Sequence, residues 1–165
     1  REMLLGAAKL CHFTPVWSAR IIEEWTRAAR KLGPEGEAQA RAEIALVRAQ
    51  WPKAEHPPAP GTERRLWLPD SADIHVLATA VEASADVIVT VNAKDFPRNI
   101  LAEEGIDRRD PDTLLHGFWL SDPQGMADIA DRVLAEASRL SGDQWTMRAL
   151  MKKARLPRLG KALTT

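Results

Sequence analysis

Acidic side chains around one apolar run are the strongest candidates for chemistry in the sequence. The run Val87–Val91 is typical of a buried parallel strand, and Asn92 and Asp95 follow its carboxyl end. In open α/β sheets, ligands bind at this end of the strands. Asp73 lies in the first turn of a predicted helix, where the helix dipole favours the charged carboxylate. Such acids suit Mg²⁺ or Mn²⁺, because both cations prefer hard oxygen ligands.

Helix capping and turn formation explain the same acids without a metal. Asp70 fits a helix N-cap followed three residues later by the acid Asp73, a pattern that stabilises a helix start. Asp95 precedes Phe-Pro and fits a turn, and Glu24 fits an acid that faces solvent. The residues alone leave both interpretations open. Paired-cysteine, HExxH and Walker motifs are absent from the sequence, so the carboxylates are the chemistry that remains.

The elements that must position these acids alternate between helix and strand, which favours an α/β fold with a parallel sheet. Short apolar runs predict strands over residues 12–17, 66–68 and 87–91, and four prolines predict a loop over residues 52–61. Ser18 is a good N-cap for the helix that carries Glu24. Helical spacing predicts a buried face on this helix and on the next one, over about residues 36–50: Ile21, Trp25, Ala28 and Leu32 on the first, and Ala42, Ala45, Leu46 and Ala49 on the second.

Composition narrows the class of protein. The chain has 165 residues, 45% hydrophobic and 28% charged, the profile of one soluble globular domain. Basic and acidic side chains are equal at 23 each, which excludes a simple polybasic nucleic-acid binder. Residues 144–165 hold six basic residues and no acid, so the rest of the chain has an acidic excess of six. This asymmetry predicts cation chemistry in the body and polyanion contact at the tail, with a solvated helix end as the alternative for the tail.

Three segments carry a resemblance to a known family. In Ser18–Glu24 a serine is followed six residues later by a glutamate, and Asp73–Ala80 begins an alanine-rich helix with an aspartate. Val89–Phe96 combines a strand end with threonine, asparagine and Asp-Phe. In this order and at these separations, over roughly the first 100 residues, the segments resemble the PIN-domain family of metal-dependent ribonucleases. The bacterial branch close to the toxins of toxin–antitoxin pairs is the most similar.

The resemblance implies a three-layer α/β/α fold with a central parallel sheet. It implies a PIN-like domain over residues 1–140, followed by a basic C-terminal helix and tail over residues 141–165. The family places its first acid, an aspartate, at the end of an N-terminal strand. We expect that strand and its aspartate to be missing from this chain, because the first predicted helix begins at Arg1.

The resemblance also implies a mechanism, the hydrolysis of RNA by a metal-activated water with Mg²⁺ or Mn²⁺ as cofactor. Glu24, Asp73 and Asp95 match the family's second, third and fourth acids and are the predicted metal ligands. Asn92 and Thr90 are predicted to orient a ligand or the attacking water. The residues predicted to attract the RNA backbone are Arg148, Lys152, Lys153 and Arg155.

Partners and alternatives follow from the same evidence. Family toxins are held inactive by antitoxins and many form dimers, so an antitoxin partner and a homodimer are predicted. No apolar stretch reaches the roughly 18 residues that span a bilayer, and the single Cys11 fits a reducing, cytoplasmic compartment. One alternative is a catalytically inactive PIN-like module that acts through protein or RNA binding. Another is a phosphatase or phospho-receiver domain, for which Lys94 beside Asp95 would serve the phosphate.

Overall fold

The computed structural model describes residues 1–30 and 33–165 of the chain. These residues form two compact units. One comprises residues 1–14, 89–91 and 109–165, and the other comprises residues 15–88 and 92–108. The division at residue 140 that the sequence predicted stays a prediction.

Helices make up most of the described chain. Every helix in this part of the chain is too short or too polar to cross a lipid bilayer. The helices in chain order are α1 Glu2–Lys9, α2 Ala19–Ala29, α3 Pro34–Gln50, α4 Pro60–Arg65, α5 Ile74–Glu82, α6 Arg98–Glu103, α7 Pro111–Ser121, α8 Pro123–Ser141, α9 Met147–Lys153 and α10 Pro157–Leu163.

The strands of the described residues form two parallel pairs. In the first pair, β1 (Trp17–Ser18) lies beside β2 (Glu55–His56), with Trp17 opposite Glu55. In the second, β3 (Val87–Val89) pairs with β4 (Asp107–Arg109). The backbone hydrogen bonds of this pair join 107 to 86 and 90 to 109, in the same order along both strands, so the pair is parallel. The predicted α/β class is confirmed.

Several predicted strands are wrong in extent or place. Of residues 12–17 only Trp17 lies in a strand, residues 66–68 form none, and the run from Val87 ends at Val89. The proline-rich segment predicted as loop contains β2 and the start of α4. Proline explains this arrangement, because β2 ends before Pro57, which has no N–H to donate, and Pro60 occupies the first position of α4, where proline is tolerated.

The predicted buried face of α3 is wrong, and that of α2 is offset by one residue. In α2 the buried residues are Ile22 and Thr26, whereas Ala28 is exposed, and the predicted Leu32 lies outside the described residues. In α3 the buried residues are Ala40 and Ile44, whereas the four predicted positions are exposed; they are Ala42, Ala45, Leu46 and Ala49. The α3 sequence is rich in alanine and charge, so apolar spacing defines its buried face poorly. In α2 the buried Ile22 and Thr26 each lie one residue beyond the predicted Ile21 and Trp25, which are half-buried.

Each compact unit has its own apolar core. The unit of residues 15–88 and 92–108 buries a cluster formed by Leu68, Leu77, Ala80, Ile88, Phe96, Leu101 and Ile106. The other unit buries Met3, Ala7, Leu115, Met126, Ile129, Ala130, Met151, Leu156 and Leu159. The first of these clusters matters most for function, because Leu68, Leu77 and Phe96 flank the acidic residues described below.

We expect Leu77→Ala to lower the free energy of unfolding by about 2–5 kcal/mol, because Leu77 is fully buried and its truncation leaves a cavity. Leu46→Ala makes the same chemical change at a side chain that is 65% exposed, and should cost less than about 0.5 kcal/mol. Urea unfolding followed by circular dichroism measures both values. Equal losses in the two variants would contradict the assigned core.

Candidate metal centre

The start of α5 and the loop after β3 bring three carboxylates together. One oxygen from each of Asp70, Asp73 and Asp95 lies within 4.8 Å of the corresponding oxygens of the other two. Asp70 is exposed, and the other two are half-buried. Three carboxylates without sulfur or nitrogen donors form a hard oxygen set, which fits Mg²⁺ or Mn²⁺ better than a softer ion.

Asp70 caps a single 3₁₀ turn, Ser71–Asp73, that ends with Asp73 and leads into α5. Asp70 Oδ1 accepts a hydrogen bond from the backbone N–H of Ala72 at 2.9 Å, which confirms the predicted N-cap. The cap uses one carboxylate oxygen and leaves Oδ2 as a second donor for a cation. Sequence reasoning assigned Asp70 to capping alone and missed its place in the acidic group.

The loop that carries Asp95 is tethered from two sides. Asn92 Nδ2 donates to Oδ2 of Asp95 within the loop. Arg108 Nη1 donates to the carbonyl oxygens of Ala93 at 3.0 Å and Phe96 at 2.9 Å, so one guanidinium spans the loop. The adjacent Phe96 side chain is buried in the apolar cluster. These contacts fix the backbone on both sides of Asp95. Nothing in the sequence pattern indicated Arg108.

Glu24 lies outside the group of three. The predicted N-cap of its helix is confirmed, because Ser18 Oγ accepts a hydrogen bond from the N–H of Ile21 at 3.2 Å. Glu24 Oε1 lies 2.9 Å from Nε2 of His75 and 3.9 Å from Nε of Arg20. Its proposed role as a metal ligand stays a prediction.

The pKa of the Asp73 carboxyl reflects its burial and the negative charges that surround it in the group. Burial raises the pKa of the Asp73 carboxyl, and the negative charges of Asp70, Asp95 and Glu24 raise it further, whereas His75 acts in the opposite direction. Like charges at this distance disfavour the ionised form. A cation bound among these carboxylates would remove the repulsion, so the group is electrostatically suited to one.

The remaining predicted residues are distributed elsewhere. The backbone N–H of Thr90 donates to the carbonyl of Arg109 at 3.0 Å, and the role predicted for the Thr90 side chain stays a prediction. Arg148, Lys152 and Lys153 are exposed on α9, and the exposed Arg155 follows it. Lys153 Nζ lies 4.9 Å from the centroid of the Trp145 ring, a cation–π contact.

We expect Asp73→Asn to raise the unfolding temperature at neutral pH in EDTA. The pKa of Asp73 is raised in the folded state. Its contribution to stability is therefore present below the unfolded pKa of about 3.9 and is lost as pH rises through the folded pKa. At neutral pH the wild type carries the repulsion and the amide does not, and the difference should shrink toward about pH 4. Thermal unfolding at both pH values measures it.

Asp131→Asn is the matched control, because Asp131 is an exposed carboxylate on α8. Its unfolding temperature should stay close to that of wild type at both pH values. A metal-free Asp73→Asn protein that is less stable than wild type at neutral pH would show that Asp73 stabilises the fold instead of straining it.

The comparisons with known proteins identify the family. The model of the PIN domain, a family of nucleases that typically use divalent metals, matches residues 1–94, more than half of the chain. Neither the curated proteins nor the solved structures gave a match. The matched region contains Glu24, Asp70 and Asp73, and the toxin-like branch stays a prediction. The chain belongs to the PIN-domain family.

Proposed function

We propose that the protein is a Mg²⁺- or Mn²⁺-dependent endoribonuclease that hydrolyses phosphodiester bonds of RNA. The observation that carries the proposal is the meeting of Asp70, Asp73 and Asp95 within 4.8 Å in a PIN-domain chain. PIN domains are generally nucleases, and their nuclease domains generally bind RNA.

Each residue has a distinct task in the proposal. Asp70, Asp73 and Asp95 hold the cation, and Glu24 joins them directly or through a water. The cation supplies activation of a water molecule and neutralisation of phosphate charge. Asn92 orients the Asp95 carboxylate by donating to one of its oxygens. Because the acidic group repels RNA by itself, binding of the scissile phosphate at this site requires the cation.

The basic residues on and after α9 are proposed to bind the RNA backbone. Arg148, Lys152, Lys153 and Arg155 are exposed, and the structure records no ion pair for them within the described chain. The segment 144–165 contains no acid that could neutralise them. Cations without acidic partners are available to phosphates, and such contacts are sequence-independent.

Cleavage of labelled single-stranded RNA tests the proposal directly. We expect cleavage with Mn²⁺, none with EDTA, and a loss of about 100-fold or more in Asp73→Asn, as for removal of one electrostatic contribution to a transition state. Asp131→Asn, the exposed carboxylate on α8, should cleave like wild type.

Two outcomes would contradict the proposal. A folded wild-type protein that cleaves no RNA with either metal would favour the inactive binding module. Cleavage that persists unchanged in Asp73→Asn would place the reaction at another site or in a contaminant. Circular dichroism of each variant separates loss of activity from loss of fold.

Salt dependence tests the basic segment separately. In EDTA, we expect Lys152→Ala/Lys153→Ala to reduce the slope of log binding constant against log salt by about 1.4, since each single-stranded phosphate contact contributes about 0.7. The double control Lys9→Ala/Lys53→Ala removes two other exposed lysines and should leave the slope unchanged. Equal slopes in all three proteins would remove α9 from the RNA interface. Filter binding over a salt series measures the slopes.

The wider biological role stays a prediction. A toxin–antitoxin partnership, a homodimer and a cytoplasmic location are consistent with the family but rest on the sequence resemblance. Purification with proteins encoded alongside the chain, followed by the cleavage assay, would test the partnership.

A further inference from the structure

His75 is the most unusual side chain near the acidic group. It lies in the first turn of α5, two residues after Asp73, and is only 5% exposed. Within the described chain its ring has one polar contact, between Nε2 and Oε1 of Glu24, a residue 51 positions earlier. Its other nitrogen, Nδ1, is buried and has no hydrogen-bond partner among the described residues.

The contact with Glu24 shows that Nε2 of the His75 ring is a hydrogen-bond donor. A carboxylate accepts hydrogen bonds, so Nε2 of His75 carries a proton and donates it to Glu24. The ring therefore presents one fixed donor, and that donor points at Glu24 Oε1.

Core packing alone does not explain a histidine at this position. The apolar cluster below α5 is formed by side chains such as Leu77 and Ala80, and an apolar residue would fill the same volume without an orphaned nitrogen. The hydroxyl of Thr79 bonds to the carbonyl of His75, so the ring itself contributes nothing to that helical contact. What the ring adds is the bond to Glu24.

Glu24 needs such a partner to keep one position. Its side chain is 44% exposed, and a long exposed glutamate samples several rotamers. Arg20, one turn earlier on α2, has its Nε 3.9 Å from the same Oε1, which is too far for a hydrogen bond, so Nε2 of His75 at 2.9 Å is the closer contact. His75 is itself buried on α5, so its hydrogen bond favours the rotamer of Glu24 that places Oε1 against Nε2.

We infer that His75 is a positioning residue that holds Glu24 beside Asp73, so that Glu24 can contribute its second oxygen to a divalent cation. This inference rests on the proposed function. His75 acts through Glu24 and does not touch the cation or the RNA. His75 follows Asp73 by two residues at the start of α5, so its hydrogen bond ties Glu24 to the end of the helix that carries the acidic group.

A pair of amide variants tests the inference without relying on catalysis. The amide nitrogen of Gln reaches about as far as Nε2 of histidine, whereas that of Asn reaches only as far as Nδ1. We expect His75→Gln to bind Mn²⁺ like wild type. His75→Asn should bind it about 10–100-fold more weakly, the usual effect of losing a residue that orients a metal ligand. The electron paramagnetic resonance signal of free Mn²⁺ gives each dissociation constant.

The same substitution in a Glu24→Ala protein tests whether His75 acts on Mn²⁺ affinity through Glu24. With Glu24→Ala already present, His75→Asn should cause no further loss of Mn²⁺ affinity, because the residue through which it acts is gone. An equal loss in both backgrounds would mean that His75 acts by general packing, and would overturn the inference. Equal Mn²⁺ affinities for wild type, His75→Gln and His75→Asn would overturn it while leaving the proposed function intact.

A spectroscopic measurement on the wild type needs no variant. Long-range ¹H–¹⁵N correlations of the His75 ring in metal-free protein should show the proton on Nε2. A ring that is protonated on Nδ1 alone would exclude donation to Glu24 and overturn the inference even if His75→Asn does not fold. Absence of any Mn²⁺ binding by wild type would overturn the proposed function, and this inference with it.

Discussion

Mutual repulsion among carboxylates is the constraint on which the site depends. Asp70, Asp73 and Asp95 lie within 4.8 Å of one another, an arrangement that costs free energy until a cation is present. The chain supports it through apolar residues that adjoin each acid in sequence. Phe96 follows Asp95 directly, Leu68 precedes Asp70 by two residues, and Leu77 follows Asp73 by one helical turn. Burial of these side chains in one cluster holds the three backbones in place, so hydrophobic packing offsets the electrostatic cost.

Polar contacts add to this apolar packing by fixing the backbone of the loop and of the turn that carry the acids. The Arg108 guanidinium joins two carbonyls across the loop of Asp95, and the Asp70 cap orders the turn before α5. Arginine suits the loop because its planar group offers several donors at fixed angles. The site thus uses backbone carbonyls and N–H groups as attachment points, and these do not depend on the identity of the side chains around them.

The sequence predicted the local features better than the distant ones. Ser18 as an N-cap, the strand at Val87 and the first-turn position of Asp73 depend on neighbouring residues and are confirmed. Capping and metal binding were treated as alternatives for Asp70, although a carboxylate has two oxygens and the cap occupies one. The partnership of His75 with Glu24 joins residues 51 positions apart, so no spacing rule could reveal it. The two-residue β2 was missed because a strand this short exists only through its pairing with β1.

Ser18 has two roles, since it pairs with His56 across β1 and β2 and also caps α2. Sheet pairing therefore sets the starting angle of the helix that carries Glu24. Each residue of an α-helix turns the chain by about 100° and advances it by about 1.5 Å. Insertion or deletion of a single residue between Ser18 and Glu24 would swing that carboxylate to another side of α2. The sequence of this short stretch can change, but the six-residue interval from Ser18 to Glu24 cannot, because it fixes the side of α2 on which the Glu24 carboxylate lies.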